Sequence, residues 1–248
     1  MLKEKLKKFS LVLLSSAVVL SIAMFSQPVF ASSSETLPSD VLDLTNWKLT
    51  LPINDAEEIT QPELDSFSDE YFYVNDDGDG VVFKAPCGGG TTDGSSYPRS
   101  ELREMTNDGE DEASWSTSSG KHTMIIEGKI TNTPVVKPHV VVGQIHDSGD
   151  DVIELRLEGS KLFVEADGTD EGTLDSDYEI GTRYTIKVVA EDGVIKVYYN
   201  DALKVTYTKK ATGCYFKAGM YTQSNTSKGD SATAYGEAVI YSLSVTHE

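Results

Sequence analysis

Through most of this chain apolar residues recur at every second position, and clusters of turn-forming residues separate the alternating runs. A period of two places apolar side chains on one face of a strand and polar ones on the other, so it specifies half-buried β-strands rather than helices. "KHTMIIEGKI", "HVVVGQIH", "VIELRLEGSKLFVEADG", "YTIKVVAEDGVIKVYYNDALKVTYT", "CYFKAGMYTQ" and "GEAVIYSLSVTH" all follow it, as does "YFYVNDDGDGVVFKAP" around a central turn. Asp192-Gly193 is a strong hairpin signal and Asn200-Asp201 a weaker one. Only "LPSDVLDL" suggests a helix, and a short one. The expectation is an all-β domain, a sandwich or jelly roll of two antiparallel sheets.

The first 31 residues read as a signal peptide. Lys3, Lys5, Lys7 and Lys8 precede an apolar run from Phe9, and Val29 and Ala31 occupy the −3 and −1 positions of a cleavage site. Residues 32–40 form a polar leader, and 41–248 a single catalytic domain with no linker or repeat. The expected location is extracellular or periplasmic, with no membrane attachment after cleavage. Losing four lysines and one glutamate with the signal peptide takes the net charge from −19 to −22. Such a surface opposes binding to nucleic acid or anionic membranes, while local arginines still leave room for an anionic substrate in a cleft. In an oxidising compartment, two cysteines, Cys87 and Cys214, are expected to form a disulfide.

"PRSELREM" (98–105) is ambiguous by itself. As a helix it stacks Arg99 on Arg103; as a strand it puts Arg99, Glu101 and Arg103 on one face and Ser100, Leu102 and Glu104 on the other. The β-rich context favours the strand. "HVVVGQIH" places Val140, Val142, Gln144 and His146 on one side by parity, with Val141, Gly143 and Ile145 behind. In "YFKAGMYTQ", Tyr215, Lys217, Gly219, Tyr221 and Gln223 share a face backed by Phe216, Ala218 and Met220. If these three strands are neighbours, they build a concave wall of donors, cations and two titratable groups.

Other motifs carry less. "NDDGDG" (75–80) starts like a calcium loop but has Pro86 where the bidentate Glu belongs, so it reads as a hairpin turn. Gly88–Gly90 lacks the lysine and helix of a phosphate loop, and mobility near a cleft is expected there instead. Glu154 and Glu158 share a strand face with Arg156 between them, which reads as a solvated face more readily than as a glycosidase dyad. His122, His139 and His247 read as structural. No metal ligand set and no cofactor is expected.

The arginine, glutamine-histidine and tyrosine strands together resemble the alginate lyases of polysaccharide lyase family 7. The resemblance rests on "RSELR" (99–103), "QIH" (144–146), "YFKAGMYTQ" (215–223) and the entry segment "NWKLTLP" (46–52), in the family's order and over essentially the whole mature chain. Thr222 stands where Asn is commoner in the family. The resemblance implies a β-jelly roll whose concave sheet forms an open cleft acting on alginate; separately, a monomer is expected. It implies that Arg99, Gln144 and His146 serve the substrate carboxylate, that Tyr221 is the acid, and that either Tyr221 or His146 is the base. Arg103, Lys217 and Gln223 would bind flanking sugars, and Glu101, also in the binding set, would fix the two arginines. Ile145 leans weakly towards guluronate-containing blocks. A lyase of another polyuronate such as glucuronan, a jelly-roll glycoside hydrolase and a carbohydrate-binding module remain as alternatives.

Overall fold

The computed structural model describes residues 36–248; the signal peptide and leader residues 32–35 lie outside this range. One sheet runs in spatial order Thr169–Asp175, Lys161–Ala166, Asp151–Glu158, His139–His146, Thr212–Thr222, Arg99–Thr106, Trp47–Thr50 and Glu58–Ile59. The other runs Ala202–Thr208, Val194–Tyr199, Tyr184–Glu191, Lys121–Asn132, Tyr235–His247, Val81–Pro86 and Phe72–Val74. Every pairing in both is antiparallel. This is the two-sheet sandwich that the alternation specifies, and the short helix is present at Pro38–Val41.

The turns form as their residues dictate. Asp192 and Gly193 have φ of 54° and 75°, and Asn200 and Asp201 have 47° and 66°. Two successive left-handed residues give the hairpin twist that matches the flanking strands. In "NDDGDG" the Asn75 side chain accepts from the backbone of Asp79 and Gly80, closing a hairpin and leaving no calcium loop. The edge strand Thr169–Asp175 is mostly polar and exposed, which gives it little alternation to detect and discourages pairing with another chain.

Between the sheets lies one apolar core. Leu49, Leu102, Ile145, Leu155, Phe216 and Ala218 from one sheet meet Phe83, Met124, Ile126, Ile186 and Ala238 from the other, all fully buried. Each large side chain so enclosed contributes about 1.5–3 kcal/mol by leaving water. The wall that carries the site is therefore backed by rigid packing.

Three expectations need correction. The His139–His146 strand does not alternate regularly: Val140, Val142 and Ile145 belong to the core, whereas Val141 does not. Its pairing to both neighbours is irregular at this point. Gly143 also faces inward, since a Cβ there would lie 2.8 Å from Ile126. Val142 and Gly143 form a bulge, and that bulge turns Gln144 and His146 outward.

The triglycine is closely packed rather than mobile. The amides of Gly88, Gly89 and Gly90 donate to Ala232, Pro86 and Pro52, and a Cβ on Gly90 would lie 2.0 Å from the Asn54 carbonyl oxygen.

Cys87 and Cys214 are buried free thiols. Cys87 follows the strand whose Ala85 carbonyl accepts from Thr222, while Cys214 lies at the other end of the Thr222 strand. Eight extended residues span about 26 Å, and a disulfide needs Cα atoms within about 7 Å.

Candidate active site

Topology places the Thr212–Thr222 strand directly between Arg99–Thr106 and His139–His146, although the three are far apart in sequence. Register then aligns their side chains. Tyr221 pairs with Arg99, Gly219 with Glu101, and Lys217 with both Arg103 and Gln144; Tyr215 pairs with His146. Gly219 is required in this arrangement: its φ is 145°, and a Cβ would lie 2.6 Å from the Ser100 carbonyl oxygen. The result is an open cleft of about 610 Å³ across the outer face of the sheet, with Arg99, Gln144, His146, Lys217 and Tyr221 in its wall.

Glu101 organises the centre. It is 1% exposed and accepts from Arg99 Nη1 at 3.1 Å, Lys217 Nζ at 2.7 Å and Gln144 Nε2 at 2.5 Å. Burial alone would raise its carboxyl, but Lys217 and Arg99 together pull it below the ordinary range. Buried and bonded to three donors, Glu101 holds its neighbours in place. It does not fix Arg103, contrary to the sequence expectation. That guanidinium donates to the Glu104 carbonyl at 2.8 Å and to Glu112 Oε2 at 3.1 Å, and stacks 4.1 Å from the Tyr215 ring centroid.

The held donors face the cleft incompletely satisfied. Arg99 gives Nη1 to Glu101 while its Nη2 meets no acceptor among the described residues, and Gln144 keeps one amide hydrogen free after serving Glu101. An anion entering the cleft would satisfy both.

His146 and Tyr221 are set for opposite proton tasks. His146 Nδ1 lies 2.6 Å from the Asp147 carbonyl oxygen, which only accepts. The proton of the neutral ring is therefore on Nδ1, leaving the Nε2 lone pair free. Burial depresses the His146 pKa, with Lys217 and Arg99 adding to the effect, so the neutral form persists. The Tyr221 hydroxyl lies 2.8 Å from Ser95 Oγ. Burial raises its phenol above the ordinary range despite Arg99 and Ser95, so it holds its proton at neutral pH.

Gln223, past the end of its strand, borders the adjoining groove with Tyr221 and Lys228. His139 Nδ1 lies 3.1 Å from Glu158 Oε1 without a hydrogen bond, and His122 and His247 form a chain to Glu104 away from the cleft. Two residues were missed. Lys48 lies opposite Arg103 and enters the cleft, bridging Glu58 and Glu112; the alternation of Trp47, Lys48, Leu49 and Thr50 signals it, but over only four residues. Glu154 does not belong to a solvated face. It is 5% exposed, registered against Gln144, and borders the cleft. Burial first, then Asp151 and Glu165 against the pull of Arg156, push its carboxyl up to about 8.

Comparison with known proteins identifies the family. Residues 42–247 match the alginate lyase family model. The alginate lyase AlgAT5 from polysaccharide lyase family 7 is 75% identical, with a TM-score of 0.85 over 86% of this chain and 99% of that one. The alginate lyase from Corynebacterium sp. is 48% identical, with a TM-score of 0.83 over 86% and 99%. A curated alginate lyase of Klebsiella pneumoniae is 27% identical over 94% of this chain and 98% of its own length. The chain is an alginate lyase and belongs to polysaccharide lyase family 7.

Proposed function

We propose that this enzyme is secreted and cuts within alginate chains by syn- or anti-elimination, with Arg99, Gln144, His146 and Tyr221 carrying the chemistry and guluronate-containing blocks preferred. The observation that carries this reading is the Glu101 cluster, which fixes Arg99 and Gln144 between a deprotonated imidazole nitrogen and a protonated phenol.

The reaction removes the C5 proton of a uronate and expels the oxygen on C4. While the carboxylate is anionic that proton is poorly acidic, because abstraction adds charge to a group already negative. Arg99 Nη2 and the free Gln144 amide hydrogen stabilise the developing enolate; fixed donors of this kind often supply the largest share of a rate enhancement. His146 Nε2 takes the C5 proton, the C–H electron pair becomes the C4–C5 double bond, and the departing oxygen takes the Tyr221 proton. The product carries an unsaturated uronate at its new non-reducing end. Arg103, Lys48 and Gln223 hold neighbouring sugars; Lys217 and Glu101 act by positioning the central donors.

When C5–H and C4–O lie on the same face, as in mannuronate, Tyr221 would serve as both base and acid. Burial makes a tyrosinate there costly, whereas His146 stands ready as a separate base. That contrast supports the guluronate lean. A similar lyase, A1-II', 33% identical with a TM-score of 0.74 over 87% of this chain and 98% of its own, is described as a variant in complex with a substrate, GGMG. The open cleft suits a polymer that continues in both directions.

Polymannuronate, polyguluronate, alginate and glucuronan offered separately, with the ultraviolet absorbance of the new conjugated double bond followed, test this reading. The expected order is polyguluronate and alginate above polymannuronate, with glucuronan inert, and a mixture of product lengths early in the reaction. A preference for polymannuronate, or release of one small product from the outset, would contradict the corresponding part.

A further inference from the structure

Beside the reaction centre, one cleft wall carries an excess of carboxyl groups that a polyanion must approach. Among the described residues Arg156 is the one guanidinium set between them. Its Nη1 is shared between Glu154 Oε2 at 3.1 Å and Glu165 Oε2 at 3.0 Å, and its Nε meets Glu158 at 2.8 Å. Asp151 lies on the same strand with no cation paired to it among the described residues.

Glu154 is the most enclosed of this set, its side chain 6% exposed against 14% for Glu165 and 36% for Glu158. Among the described residues no donor reaches its Oε1, although the side chain borders both the cleft and the adjoining groove. Its neighbours fix its charge. On its own strand stand Asp151, Arg156 and Glu158; on the strand beyond, Glu165 is registered opposite it. On the other side are Gln144 opposite, His146 and His139. Across the groove lie the Tyr221 phenol and Lys228, and deeper in the cleft the Glu101 cluster, already internally paired. A fourth anion buried here, sharing half an arginine nitrogen, would face both its neighbours and an incoming uronate.

We propose that Glu154 works as a neutral carboxylic acid whose free oxygen donates a hydrogen bond to a carboxylate of the uronate chain, on the sugar next to the one held by Arg99 and Gln144. An O–H donor aimed at a carboxylate makes a short, strong hydrogen bond, whereas an ionised Glu154 would repel the same group. The upward push on its carboxyl, to about 8, agrees with that state. Glu154 thereby couples polymer binding to its own protonation, and the alkaline limit on affinity belongs to this residue and not to the reacting groups. The proposal rests on the reading of the cleft as a polyuronate site.

The test is KM for alginate against pH for the wild type, Glu154→Gln and Glu154→Ala, each checked for folding by circular dichroism. The substrate stays ionised over the range. With binding confined to the neutral form, the wild-type KM should rise about tenfold between pH 7 and pH 9, with little change in kcat. Glu154→Gln keeps a weaker neutral donor: its KM should be about two- to fivefold higher at pH 7 and flat to pH 9. Glu154→Ala should start about tenfold higher and also stay flat. Parallel KM profiles in all three proteins, or a wild-type KM that does not rise, would overturn the proposal. If Glu154→Gln fails to fold, the alanine profile decides alone. A wild type that forms no unsaturated product from alginate at any pH would sink the polyuronate reading instead, so the two failures are distinguishable.

Discussion

The guanidinium carbon of Arg99 sits 3.8 Å from the centre of the Tyr221 ring, with the two residues in register on adjacent strands. One side chain thus serves two ends of the same reaction: its free Nη2 is available to a carboxylate, and its face steadies the ring that delivers the proton. Both functions need a flat, stacked cation. Arg99→Ala should lower kcat by about 10²–10³ with the fold intact. Arg99→Lys should recover little, because an ammonium cannot stack or offer a planar fork. Steady-state kinetics on alginate check this, and recovery to within threefold by lysine would show that charge alone suffices.

Glu101 is the support for that arrangement. Glu101→Gln would present an amide to three donors and leave buried Lys217 and Arg99 without their counter-charge. Breaking a buried pair in this way typically costs about 3–5 kcal/mol. Urea denaturation should show a loss of that order, and kcat should fall with it. Undiminished stability would mean that the cluster is solvated and does not preorganise the site.

How the enzyme responds to acid follows from His146. Burial lowers its pKa below the ordinary value of about 6.5, and the neutral ring is the active base. Activity is therefore retained as pH falls through 6.5 and is lost only when pH passes the lowered value. The acid limb of kcat/KM, which reports the free enzyme, should be centred below about 6.5. A limb centred above 7 would assign the base to another group.

The thiols give a prediction independent of catalysis. Burial is the main force raising both Cys87 and Cys214 to about 11, so neither is reactive at neutral pH. A reductant should leave the melting temperature unchanged, and alkylation should label both cysteines only after unfolding. A melting temperature that drops on reduction would reinstate the disulfide.

Much of this molecule is legible in its sequence because alternation reports which face of a strand is buried. Arg99, Glu101 and Arg103 against Leu102, and Lys217 and Tyr221 against Phe216 and Ala218, fall on the faces that parity assigns. That their strands are neighbours is a long-range fact, and here the family motifs supplied what local pattern lacks. The bulge at Val142–Gly143 was invisible because parity assumes an unbroken period of two, and outward-facing Gln144 and His146 look the same either way. Glu154 departs from its pattern for a different reason. An alternating Glu-x-Arg-x-Glu run looks solvated, and only the strands closing over it from both sides bury the first glutamate and leave the last half exposed. Cysteine count likewise says nothing about which end of a strand each thiol occupies.

The most direct test of the central claim is the turnover of Tyr221→Phe on alginate, followed by the absorbance of the unsaturated product. The hydroxyl, 2.8 Å from Ser95 Oγ, is the proposed source of the proton for the leaving oxygen, and removing it leaves ring, stack and fold in place. The account predicts a fall in kcat of about 10²–10⁴, with polymer binding preserved. A variant that keeps kcat within tenfold of the wild type would contradict it, and the acid would have to be sought elsewhere in the cleft.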